Sequence, residues 1–98
     1  MKTFMKDRDY KKVNTLNIVG RRWFQTTYGN TYHAVKVYVN NEILVKDFSY
    51  GYGSQYLQTA IDLLKSAGYN INTFSDLRSI EGFTESVTDV KRKKDLIF

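Results

Sequence analysis

The segment TYHAVKVYVN, residues 31–40, places His33, Val35, Val37 and Val39 on one side of a strand and Tyr32, Ala34, Lys36 and Tyr38 on the other. A period of two with valines on one side dictates a half-buried strand, because a helix of period 3.6 would scatter those valines around its circumference. The flanking turns extend the unit. Tyr28-Gly29-Asn30 precedes it and Asn40-Asn41 follows it, both residue sets that tolerate positive φ, and the second leads into the strand-like EILVKDFSY, residues 42–50. Upstream, TLNIVGRRWFQTT, residues 15–27, mixes β-branched and aromatic residues around Gly20 and reads as the first strand. A glycine there marks a bulge or a close backbone approach. The three segments form an antiparallel meander whose valine side faces the core.

A helix follows. Leu57, Ala60, Ile61 and Leu64 recur at helical spacing, with Gln58, Asp62 and Lys65 opposite, and Ser54 and Gly68 supply an N-cap and a C′ residue. The helix is predicted over about Gln55 to Ala67, lying across the valine side of the sheet. Beyond it, YNINTF, residues 69–74, is a short strand or a connector. SDLRSIEG starts with a Ser75 cap and forms a short second helix, and a last strand is predicted near Ser86 to Lys91. The expected fold class is α+β: an antiparallel meander of three to four strands packed on one main amphipathic helix, with a short second helix. With 98 residues, no repeat, no linker and no proline, the chain reads as one domain over residues 1–98, its residues 1–12 a charged, flexible segment.

Charge narrows the partners. The net +5 arises at the ends: residues 1–12 carry five basic and two acidic side chains and residues 89–98 four and two, whereas residues 13–88 carry six of each. The densest cluster is Lys91, Arg92, Lys93 and Lys94. A cluster of this kind is either a solvated face or the electrostatic footprint of nucleic-acid binding. The absence of cysteine excludes disulfides, thiolate zinc sites and cysteine nucleophiles. No apolar run is long enough to span a membrane, and MKTFMKDRDYKK lacks the apolar region of a signal peptide, so the expected compartment is the cytoplasm.

The side chains that could do chemistry are sparse. His33 lies on the core side of its strand and reads as a satisfied buried histidine. Glu42, Asp47, Asp76, Glu81 and Glu85 are scattered without a spacing that demands a shared acid–base or metal site. No nucleophile elbow or phosphate loop is present. The expectation is a protein that is not an enzyme and needs no cofactor or metal.

Two segments suggest a binding surface instead. In GRRWF, Arg21 and Arg22 fall on opposite faces, so one of them faces away from the helix. That one offers a planar phosphate-binding and stacking group beside Trp23, unless Trp23 is core and the arginines merely snorkel around it. In SYGYGSQY, two glycines lead into a helix N-terminus, where free N–H groups favour an anion. Tyr50, Tyr52 and Tyr56 would ring that position, and Gln55 could read an amide or base edge. The competing reading is that Gly51 and Gly53 only make a tight strand-to-helix turn.

GRRWFQTTYGNTYHAVKVYVNNE, FSYGYGSQYLQTAIDLLKSAG and SVTDVKRKKDL together resemble a group of small, mostly uncharacterised proteins encoded by tailed bacteriophages, through the R-R-W-F, G-N-T-Y-H and Y-G-Y-G-x-Q-Y patterns. The match is good over roughly residues 16–68 and loose elsewhere. The resemblance implies a phage accessory protein made in the host bacterial cytoplasm and acting by binding. It brings no catalytic residues. The leading expectation is therefore non-enzymatic recognition of nucleic acid or a phosphate-bearing nucleotide. Arg21 or Arg22 would take phosphate, Trp23, Tyr50, Tyr52 and Tyr56 would stack, and Lys91, Arg92, Lys93 and Lys94 would add salt-dependent attraction. The alternative is a protein-interaction module, able to dimerise, that inhibits a host or defence protein through the same aromatics.

Overall fold

The computed structural model describes residues 11–98. Its elements run β1 (Leu16–Gln25), β2 (Asn30–Val39), β3 (Glu42–Tyr50), α1 (Gln55–Ser66), α2 (Phe74–Arg78) and β4 (Thr84–Val90), with one 3₁₀ turn at Lys93–Asp95. The chain is α+β, as its hydrophobic periodicities require. The strands form one sheet in the order β3-β2-β1-β4. The first three make the expected meander, while β4 returns after the helices to pair parallel with β1, so the sheet is mixed.

Register divides the sheet into two faces. Leu16, Ile18, Gly20 and Arg22 of β1 pair with Val39, Val37, Val35 and His33 of β2. Leu44 of β3 and Val87 of β4 lie on that same face, and α1 covers it. Leu16, Ile18, Val35, Val37 and Val39 are buried against Tyr56, Leu57, Ala60, Ile61 and Leu64. Each such side chain removed from water contributes roughly 1.5–3 kcal/mol, so this interface is the main source of stability. Gly20 permits the contact: a Cβ there would sit 2.7 Å from the Tyr56 ring. Of the two roles open to a strand glycine, close approach is the one observed. The register of β1 is unbroken, and the irregularity lies instead in β3, between the pairs His33–Ser49 and Val35–Lys46.

The helix ends follow local chemistry. Gly68, at φ +97°, ends α1 in the left-handed conformation expected of a C′ glycine. Ser54 occupies the N-cap position without a side-chain capping bond. The second helix is capped by Thr73 rather than Ser75. The Thr73 hydroxyl accepts from the Asp76 N–H and the Asp76 carboxylate accepts from the Thr73 N–H, a reciprocal box that places Ser75 inside the first turn. The backbone N–H groups of Asn72 and Thr73, both donating to it, hold the Asp76 carboxyl below its usual range. The segment after α1 is a connector that touches Lys11 through a single parallel bridge at Tyr69. Lys11 also binds Glu42 at 2.8 Å, which lowers the Glu42 carboxyl and raises the Lys11 ammonium. Apart from Lys11 and Lys12, the charged N-terminal segment expected over residues 1–12 lies outside the described residues. Among the described residues, no helix is long and apolar enough to cross a membrane.

Candidate nucleic-acid interface

The face of the sheet away from α1 carries Asn17, Val19, Arg21 and Trp23 of β1, and Tyr32, Ala34, Lys36 and Tyr38 of β2. Ile43, Val45 and Tyr50 of β3 and Thr84, Ser86, Thr88 and Val90 of β4 complete the paired positions. These positions hold two cations and no carboxylate. Glu85 and Asp89 alternate to the α1 side, and Asp47 lies in the irregular stretch of β3.

Three rings cross this face in a row. Tyr32 stacks on Trp23 with centroids 5.8 Å apart and on Phe48 at 4.7 Å, and Tyr50 meets Tyr32 edge-on at 5.7 Å. Strand alternation brings Trp23 and Tyr32 opposite each other. The shift in β3 then brings Phe48 onto the face two residues before Tyr50, where the pattern continues. Trp23 and Tyr32 are half-buried, while Phe48 and Tyr50 are exposed.

The segment after β4 folds over part of this face. Lys93 holds its ammonium 5.3 Å from the Phe48 ring, Arg21 donates to the Ile97 carbonyl at 2.9 Å, and the Arg21 guanidinium lies 4.1 Å from the Phe98 ring. Leu96 is fully buried outside the α1-side core, and Ala34, on the open face, is fully buried too. The basic cluster is thereby placed beside the aromatic row. Within it, Arg92 pairs with Asp95 at 3.2 Å, and Lys91, Lys93 and Lys94 are exposed.

Of the residues singled out in the sequence, Trp23, Tyr50, Arg21 and Lys93 therefore meet on or beside one face, with Lys91, Arg92 and Lys94 its neighbours in the chain. Arg22 does not join them. It points to the α1 side, where its Nε and Nη2 bind both oxygens of Asp89 at 2.7 and 3.2 Å and its Nη1 donates to the Gly53 carbonyl. This bidentate latch ties β1, β4 and the Tyr-Gly loop together and leaves the guanidinium neutralised. Tyr56 is also absent from the surface: it is buried on Gly20, and burial raises its phenol above the usual range. Its place on the helix, four residues before Ala60 and eight before Leu64, is the sequence signal for that role.

The Tyr-Gly loop forms a second region. Tyr50, Tyr52 and Gln55 border a groove of about 580 Å³ over the α1 N-terminus, and Tyr52 and Gly53 share a neighbouring groove of about 330 Å³ with Arg22 and Asp89. Gly51, at φ +147°, and Gly53, at φ +62°, supply the turn. The first α1 donors are partly satisfied within it, since Gln55 donates to the Tyr52 carbonyl and Leu57 to that of Ser54. His33 fastens the loop from below, with Nδ1 3.2 Å from the Gly51 carbonyl and Nε2 2.7 Å from the Thr59 hydroxyl. It is the satisfied buried histidine expected from its strand position, and burial lowers its pKa.

Tyr32 and Phe48 complete the open-face row although the sequence did not single them out. Both alternate with residues that were, Tyr32 through its pairing with Trp23 and Phe48 through its spacing to Tyr50. No protein-family model matches the chain, and comparison with curated proteins and with solved structures gave no match.

Proposed function

We propose that this chain is a non-enzymatic binding protein for single-stranded nucleic acid, with bases stacking along Trp23, Tyr32, Phe48 and Tyr50 and phosphates drawn to Lys36 and Lys91–Lys94. The observation that carries the reading is the stacked row on a sheet face whose paired positions bear cations and no carboxylate. Aromatic rings on a sheet offer sequence-tolerant platforms, because every base has a π-face, and neighbouring ammonium groups add counterion release. The sequence resemblance to small tailed-phage proteins supports an accessory role in a phage-infected bacterium.

Single strands are favoured over a free nucleotide because the groove at the Tyr-Gly loop has its one arginine neutralised by Asp89. Trp23, the sole tryptophan, reports directly on the proposed face. Its emission is expected to quench saturably with short single-stranded DNA or RNA, less with duplex and least with mononucleotides. Replacing Phe48 or Tyr50 with alanine should weaken binding by roughly tenfold, the effect of removing one base stack. Silence with single strands, or saturation by mononucleotides alone, would overturn the reading.

A further inference from the structure

We propose that β3 pairs with β3 of a second copy of this chain, antiparallel and about a two-fold axis at Leu44, to form a continuous sheet across two protomers. The proposal is independent of what the open face binds. Among the described residues, no strand lies on the outer side of β3. The hairpin from β2 turns through Asn40 and Asn41, with Asn40 at φ +52°, so Val39 and Glu42 form its hydrogen-bonded closing pair. Hydrogen-bonded pairs alternate along an antiparallel ladder, so Glu42, Leu44 and Lys46 direct their backbone groups to β2. Ile43 and Val45 direct theirs outward.

The side chains match that backbone pattern in one register. With Leu44 opposite its own copy, Ile43 faces Val45 of the second copy on the open face, and each such pair exchanges both backbone hydrogen bonds. Glu42 then faces Lys46 on the opposite side, so opposite charges meet twice. Glu42 keeps its own partner Lys11, whose single charge leaves the carboxylate able to share a second cation. A slip of one residue on each strand would put Val45 against itself and Leu44 against Lys46, separating the charges. Exposure fits the same surface: Ile43 is 58% and Val45 41% exposed, an apolar pair on an edge that no described strand pairs. The other edge, β4, presents threonines, Ser86, Glu85 and Asp89 and resists such pairing. The irregularity after Lys46 ends the complementary stretch, so the contact is short and its dimer concentration-dependent.

Sedimentation velocity over a concentration series into the submillimolar range should show wild-type protein passing from monomer to dimer. Val45→Pro removes one outward N–H that the fold does not use and should hold the protein monomeric with an unchanged circular dichroism spectrum. Because the chain has no cysteine, Leu44→Cys gives a single thiol on the axis. Mild oxidation should cross-link it rapidly, while Val45→Cys should cross-link poorly. A wild type that stays monomeric throughout, a dimer that survives Val45→Pro, or faster cross-linking at Val45 than at Leu44 would each overturn the proposal. None of these outcomes bears on single-strand binding, which is read separately from Trp23.

Discussion

Two residues fix the packing that the rest of the molecule depends on. Gly20 sits under the Tyr56 ring, where even a methyl group has no room. Gly20→Ala should cost about 1–3 kcal/mol through overpacking, read as a lower denaturation midpoint with the same denaturant slope. His33 is neutral in the fold because burial disfavours its charge, so its folded pKa lies below the unfolded value of about 6.5. The unfolded chain therefore binds the proton first as pH falls, and stability is full above about 6.5 and declines below it. Thermal scans between neutral pH and pH 5 should show that decline, and His33→Gln should flatten it. The lowered carboxyls of Asp76 and Glu42 act in the same direction but only at more acid pH, below their ordinary range.

At the scale of elements, β1 to β3 and α1 were legible because their periods are strict and their turns carry Gly29, Asn40 and Gly68 at positive φ. The weaker elements were misjudged at their ends. Thr73 caps α2 because Asp76 lies three residues on, a capping box that Ser75 cannot complete in the same way. β4 begins at Thr84, and its partner β1 is 67 residues away in sequence, a pairing that no local pattern announces. The segment after β4 is held by Leu96, with Arg21 gripping Ile97. Leu96→Ala should release it at a cost of about 2–5 kcal/mol if the buried site stays empty, and Trp23 emission should shift to the red as the open face gains water. An unchanged spectrum and midpoint would mean that Leu96 does not hold the segment down.

For the whole molecule, the candidate site is half legible in the sequence. Trp23, Tyr50 and the basic cluster converge because alternation put the two rings on one face and the chain carried Lys93 to Phe48. Arg22 and Tyr56 do not converge there: alternation leaves open which of Arg21 and Arg22 faces away from the helix, and Tyr56 follows the Tyr-Gly run at the helix N-terminus. Arg22 is spent on Asp89, a long-range ion pair invisible in one sequence, and Tyr56 on the core stripe of α1. The charge distribution gives a further expectation. Replacing Lys91, Lys93 and Lys94 by glutamine should lower single-strand affinity at low salt, with the fold intact. The salt slope should fall by up to about 0.7 for each phosphate that is no longer neutralised. The most direct test of the central claim is an amide chemical-shift map recorded while a short single-stranded oligonucleotide is titrated into isotope-labelled protein. Perturbations centred on Trp23, Tyr32, Phe48, Tyr50 and Lys93 are predicted. Perturbations confined to α1 and the Arg22–Asp89 groove, or none at saturating oligonucleotide, would contradict the open face as the binding surface.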